Sequence, residues 1–157
     1  MEEKMVVTGA STGIGWAVAE AFGRNGWQVL AGARKPQDLD RLGKLPGVEP
    51  IALDVTKDED CRQLADRFRG QALTALVNNA GVAIGGPWEI LPMEDIRHQF
   101  EVNVFGLLNV TKALLPAIRK GHGRIVNISS ISGRVAGGCL GPYASSKFAV
   151  EAITDSM

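Results

Sequence analysis

The stretch Thr8-Gly9-Ala10-Ser11-Thr12-Gly13-Ile14-Gly15 constrains this chain more than any other. It follows the apolar run Met5-Val6-Val7. It opens into a segment with Ile14, Val18, Ala21 and Phe22 at helical spacing. Strand, glycine-rich turn and helix in immediate succession form a cradle for a dinucleotide pyrophosphate. The glycines let the backbone bend and come close, and the helix N-terminus offers unpaired N–H groups and a partial positive charge. Gly9, Ser11, Thr12, Gly13, Ile14 and Gly15 are the candidate contacts. The glycine spacing is not G-x-G-x-x-G, and a plain tight turn is the competing reading; the strand before and the helix after favour the cradle.

Apolar runs alternate with amphipathic segments along the rest of the chain, the βαβ signature of a parallel sheet. Strands are expected at residues 5–8, 27–33, 49–53, 72–77 and 124–128, the last fully buried. Helices are expected at 13–25, from a Thr56/Glu59 capping box to 69, over 92–119, and from Pro142 onward. Pro36 is expected to close a turn. With 157 residues and no linker or repeat, the chain reads as one domain, residues 1–157.

Three places at the carboxyl ends of these strands carry ligand chemistry, because open α/β sheets bind there. After the second strand, where an acidic residue would hold a ribose 2′-hydroxyl, the chain has Ala33 followed by Arg34. A guanidinium binds a 2′-phosphate through paired, charge-assisted hydrogen bonds, so Arg34 favours NADP(H) over NAD(H). After the third strand stand Asp54 and Val55; Asp54 can accept from an adenine amino group or hydrogen-bond its own turn. After the fourth comes Asn78-Asn79-Ala80-Gly81, whose small residues admit a ligand and whose amides can bridge strand ends.

The charge pattern excludes other classes. Lys plus Arg number 17 and Asp plus Glu number 17, with no basic run, which argues against nucleic acid and anionic membrane as partners. Cys61 and Cys139 are isolated, so no metal cluster is expected and a reducing compartment fits. No leader and no apolar stretch of spanning length is read, so the expected location is the cytoplasm.

Tyr143 and Lys147 are four residues apart on one helix face. An unperturbed phenol titrates near pH 10 and is a poor acid–base group at neutrality; a neighbouring ammonium favours the phenolate. Asn103, among Phe100, Val102, Val104 and Phe105, needs a partner if buried.

Taken together these residues resemble the short-chain dehydrogenase/reductase (SDR) family. Thr8–Gly15 is similar to its Thr-Gly-x-x-x-Gly-x-Gly turn, Asn78–Gly81 to its Asn-Asn-Ala-Gly, and Asp54-Val55 to its adenine-side pair. Asn103 is similar to its helix asparagine, and Ser130, thirteen residues before Tyr143, to its catalytic serine. The resemblance implies hydride transfer between a nicotinamide and an alcohol/carbonyl pair. Tyr143 would act as general acid/base, Ser130 would stabilise the developing alkoxide, and Lys147 would hold the nicotinamide ribose. Asn103 would fix a water beside Lys147. Asn79, Ala80 and Gly81 would lie on the cofactor, as would Tyr143 and Lys147. The extended branch of the family, with its Thr-Gly-x-x-Gly-x-x-Gly turn, does not match.

The expected fold is α/β: a Rossmann-like, doubly wound parallel sheet in the order 3-2-1-4-5, with helices on both faces. Against the resemblance, the chain lacks the usual C-terminal strands and substrate loop. A non-catalytic dinucleotide-binding fragment or sensor is therefore the rival reading. The expected partner is a small apolar carbonyl or alcohol, lined by Val82, Trp88, Val135 and Cys139. A homo-oligomer is expected of the full-length form.

Overall fold

The structure, a computed structural model, describes residues 3–157. Its strands are β1 (Lys4–Val7), β2 (Gln28–Ala33), β3 (Val48–Ala52), β4 (Ala75–Asn78) and β5 (Arg124–Asn127). All pair in parallel, in the order β3-β2-β1-β4-β5. The helices are α1 (Gly13–Arg24), α2 (Pro36–Leu42), α3 (Asp58–Arg67), α4 (Met93–Phe100), α5 (Leu107–Lys120) and α6 (Gly141–Asp155).

Strand alternation divides the interior into two layers. Met5, Val7, Val29, Ala31, Ala33, Ala75 and Val77 face α1 and α2, where Ala19 and Leu42 meet them. Val6, Leu30 and Leu76 face the other way, against Leu64, Val110, Leu114 and Ile118 of α3 and α5. The sheet is thus covered on both faces, as the doubly wound reading requires.

Several local expectations are corrected. Pro36 opens α2 rather than closing a turn, because its fixed φ suits the first position of a helix. The Thr56/Glu59 capping box does not form: Asp54 Oδ1 accepts from Thr56 N–H (3.1 Å) and from its hydroxyl (2.8 Å), so α3 begins two residues later. Glu59 instead pairs with Arg62. β5 is not fully buried; among the described strands it pairs with β4 alone, and Val126 is 46 % exposed.

The helical run from Met93 to Lys120 is continuous, but residues Glu101–Gly106 form a π-helical turn between α4 and α5. Contrary to the sequence reading, this run has the length and apolar character to cross a bilayer. More than half of its most apolar window is buried inside the fold, as in the core helix of a globular domain.

Candidate functional site

At the carboxyl ends of β1 and β4, two side chains clasp the backbone. The Thr8 hydroxyl accepts from the N–H groups of Asn79 and Ala80, both at 3.0 Å. Asn79 Nδ2 donates to the carbonyls of Thr8 (3.0 Å) and Gly9 (2.9 Å). The turn between them closes tightly. Gly9 has φ +63°, and a β-carbon there would lie 2.7 Å from Ala80 Cα. Gly13, at φ +58°, has open space where a side chain would stand. Among the described residues no side chain caps α1, which leaves the N–H groups of its first turn available to a ligand.

This turn forms one side of a cleft of about 290 Å³ lined by Gly9, Ser11, Thr12, Arg34, Asp54, Val55, Asn79, Ala80 and Gly81, with Val82 and Val102 behind. Nine of the expected cofactor contacts are therefore in one place. Gly13, Ile14 and Gly15 are not in its lining: Ile14 is 58 % exposed at the mouth of α1, and Gly15 packs against the Asn79 amide. A larger hollow, about 450 Å³, opens among Lys4, Gln28, Val48, Glu49 and Arg67. It lies at the opposite ends of the strands, away from where open parallel sheets bind ligands.

Arg34 is exposed and enters no ion pair among the described residues. Asp54 adopts the turn-forming alternative: its Oδ1 serves Thr56. Burial pushes the Asp54 carboxyl up, but the Thr56 hydrogen bonds and the charges of Arg34 and Lys57 outweigh it and hold it below the usual range.

The second half of the site lies on α6. Pro142 sits in its first turn, and Tyr143 and Lys147 share a face, with Lys147 Nζ 5.9 Å from the centre of the Tyr143 ring. Lys147 is 6 % exposed and donates to the Ile128 carbonyl at 2.9 Å. Burial pulls its ammonium below the usual lysine value. The cleft and α6 meet at Gly81, where a β-carbon would lie 3.3 Å from Asn103 Oδ1 and 3.7 Å from Lys147 Nζ.

Ser130 lies three residues past the end of β5, and its Oγ accepts from Ser132 N–H (3.1 Å) at the start of a 3₁₀ turn, Ile131–Gly133. Its own hydrogen therefore remains to be donated. Neighbouring Ser129 turns its buried hydroxyl toward Gly133 and Glu151 instead.

Asn103 lies in the π-helical turn, and its side chain is fully engaged. Oδ1 accepts from Val82 N–H (2.8 Å), and Nδ2 donates to the Val82 carbonyl (2.9 Å) and to Ser146 Oγ (3.0 Å). Ser146 in turn donates to the Tyr143 carbonyl (2.7 Å). Two supporting residues escaped the sequence reading. Ser146 is one. Gln99, fully buried one turn before Asn103, is the other: it binds both the N–H (2.9 Å) and the carbonyl (3.0 Å) of Ile84. A polar residue four positions before Asn103 on its apolar face was the available signal. Of the expected substrate-side residues, Val82 lines the cleft, while Trp88, Val135 and Cys139 lie exposed on the loops after β4 and β5.

Comparison with known proteins identifies the family and the fold. The family model described as short chain dehydrogenase matches residues 3–157. An uncharacterized oxidoreductase, YusZ of Bacillus subtilis, is 42% identical over 161 residues, covering 97% of this chain and 57% of its own length. An alcohol dehydrogenase from the archaeon Thermococcus sibiricus, solved with 5-hydroxy-NADP, superposes with a TM-score of 0.93 at 29% identity, over 99% of this chain and 70% of its own. A short chain dehydrogenase/reductase from Burkholderia phymatum, solved with NAD, gives 0.92 at 28% identity, over 99% and 58%. The chain spans about half to three fifths of the length of the curated relatives it matches. From the glycine turn to the Tyr143 helix, it belongs to the short-chain dehydrogenase/reductase family.

Proposed function

We propose that this chain carries the dinucleotide and proton-transfer machinery of an NADP(H)-dependent oxidoreductase acting on an alcohol/carbonyl pair. The observation that carries the reading is the meeting at Gly81. There the cleft lined by Gly9, Arg34 and Asp54 abuts the buried Lys147 ammonium. The cradle fits a dinucleotide: the open face of Gly13 and the uncapped first turn of α1 leave room and donors for the pyrophosphate. When bound, the nicotinamide supplies or accepts the hydride.

The chain's own groups handle the proton. In the reductive direction the Tyr143 hydroxyl gives its proton to the substrate oxygen as negative charge develops there. Ser130, whose Oγ already accepts from Ser132, donates its hydrogen to the same oxygen and stabilises that charge. Lys147, held at the Ile128 carbonyl, puts a positive charge beside the Tyr143 ring and orients the nicotinamide ribose. Asn103 Oδ1 and Lys147 Nζ both lie beside Gly81, and a water bound between them would join the two. Positioned proton transfer of this kind contributes about 10²–10⁴-fold. The two unpaired cysteines suit a reducing, cytoplasmic setting.

The cofactor preference rests on Arg34. Its guanidinium is exposed at the cleft and enters no ion pair among the described residues, and Ala33 stands where an acid would repel a 2′-phosphate. One structural relative holds an NADP derivative and another NAD, so the preference rests on this residue. Titrating NADPH and NADH by fluorescence tests it. Arg34→Ala should weaken NADPH about tenfold or more and leave NADH unchanged, as loss of a charged hydrogen bond predicts. Equal affinity in the parent overturns the preference. Tyr143→Phe should abolish ketone reduction while NADPH still binds.

A further inference from the structure

The loops that follow β4 and β5 meet in front of α6. Gly86 N–H donates to the Cys139 carbonyl at 2.7 Å, and Leu140 Cδ2 lies 3.1 Å from where Gly85 would carry a β-carbon. Pro87 then opens a tight turn, with the N–H groups of Ile90 and Leu91 on its carbonyl. Trp88, within that turn, lays its indole on Gly141, the first residue of α6. A β-carbon on Gly141 would lie 2.5 Å from Trp88 Nε1 and 2.6 Å from two ring carbons. The ring fills the space a side chain would need, two residues before Tyr143.

This loop is not a free flap. Val82 is held by Asn103, Ile84 by Gln99 and Gly86 by the Cys139 carbonyl, so alternate residues are fastened in succession. Yet Trp88 is 59 % exposed, and Val135 and Leu140 of the loop after β5 are exposed too. A large exposed aromatic surface on a fastened loop thus lies against the N-terminal turn of the helix that bears Tyr143.

We propose that Trp88, seated on Gly141, is the specificity-determining wall of the substrate site. It admits slender apolar carbonyl compounds to Tyr143 and excludes bulky ones. The inference rests on the reading of Tyr143 as proton donor. Gly141 is glycine because the indole occupies its side-chain position.

The test is steady-state reduction of a series of cyclic ketones of increasing ring size with NADPH. Trp88→Ala should raise kcat/KM for the largest rings relative to the smallest by at least about tenfold, chiefly through KM, the scale on which a few methylenes discriminate in a pocket. Trp88→Phe should keep the parent ranking, and NADPH affinity should stay within about twofold in both, since no cleft contact is lost. Gly141→Ala should shift the ranking in the parent and have no effect when combined with Trp88→Ala. A ranking indifferent to Trp88, or a Gly141→Ala effect that persists without the indole, overturns the inference alone. A parent that binds NADPH and reduces no ketone overturns the function reading itself.

Discussion

Thr8 and Asn79 hold each other across the ends of two neighbouring strands: the hydroxyl of one accepts from the backbone of the other, and the amide of the other donates to two carbonyls beside the first. The glycine turn is therefore built by β4 as much as by its own sequence. Asn79→Ala leaves two carbonyls short of a donor at a half-buried site. It should cost about 2 kcal/mol of stability, measured by urea unfolding, the scale of losing partners for buried polar groups. NADPH affinity should fall with it. Unchanged affinity would mean that the turn holds its shape unaided.

Lys147 makes a stability prediction with a definite sign. Burial lowers its pKa in the folded state below the ordinary 10.5. Between the lowered value and 10.5, the unfolded chain binds more protons than the folded one, so stability rises with pH across that window. Lys147→Met removes the titration. Its unfolding free energy should climb less between neutrality and pH 10.5 than the parent's, while ketone reduction is lost. Parallel profiles would show that the ammonium is not desolvated.

Gln99 binds both backbone groups of Ile84 and is completely buried. Gln99→Leu preserves much of the volume but leaves an N–H and a carbonyl without partners. The loop carrying Trp88 should then gain hydrogen exchange at residues 82–91, with little change at β1 or β2. Uniform protection loss throughout the sheet would instead mark Gln99 as a general core residue.

The two cysteines should part company chemically. Burial, followed by the charges of Asp58, Asp60 and Asp54, pushes the Cys61 thiol up to about 11, so it stays protonated and shielded at pH 8. Cys139 is exposed. An aromatic disulfide reagent should titrate one thiol rapidly in the native protein and the second only after unfolding; Cys139→Ser should abolish the fast phase.

Much of this was legible in the sequence because period and punctuation were clean. Val6 and Val7 alternate between two cores, the strand order follows from right-handed crossovers, and the glycine turn announced its own location. What stayed hidden depends on competition between partners. Thr56 with Glu59 has the spacing of a capping box, yet Asp54 lies closer and captures the hydroxyl. Asp54 itself offered two roles that local sequence weighs equally. Asn103 was visibly in need of a partner, but its choice of Val82 and Ser146 depends on chain segments far away in sequence. The Gly141–Trp88 contact, between residues more than fifty positions apart, had no local signature at all.

The wide turn at Glu101–Gly106 gives one helical run two phases. Before it, Gln99 aims at the loop after β4; after it, Thr111 reaches Asn78 at 2.9 Å while Val110 and Leu114 seat in the core. An ordinary helix advances about 100° per residue, so deleting a single residue from the turn would restore regularity and swing everything downstream by that angle. One set of alignments would survive and the other would not. The six-residue turn is thus a phase adapter, letting one continuous rod satisfy the sheet along one stretch and the loop after β4 along another.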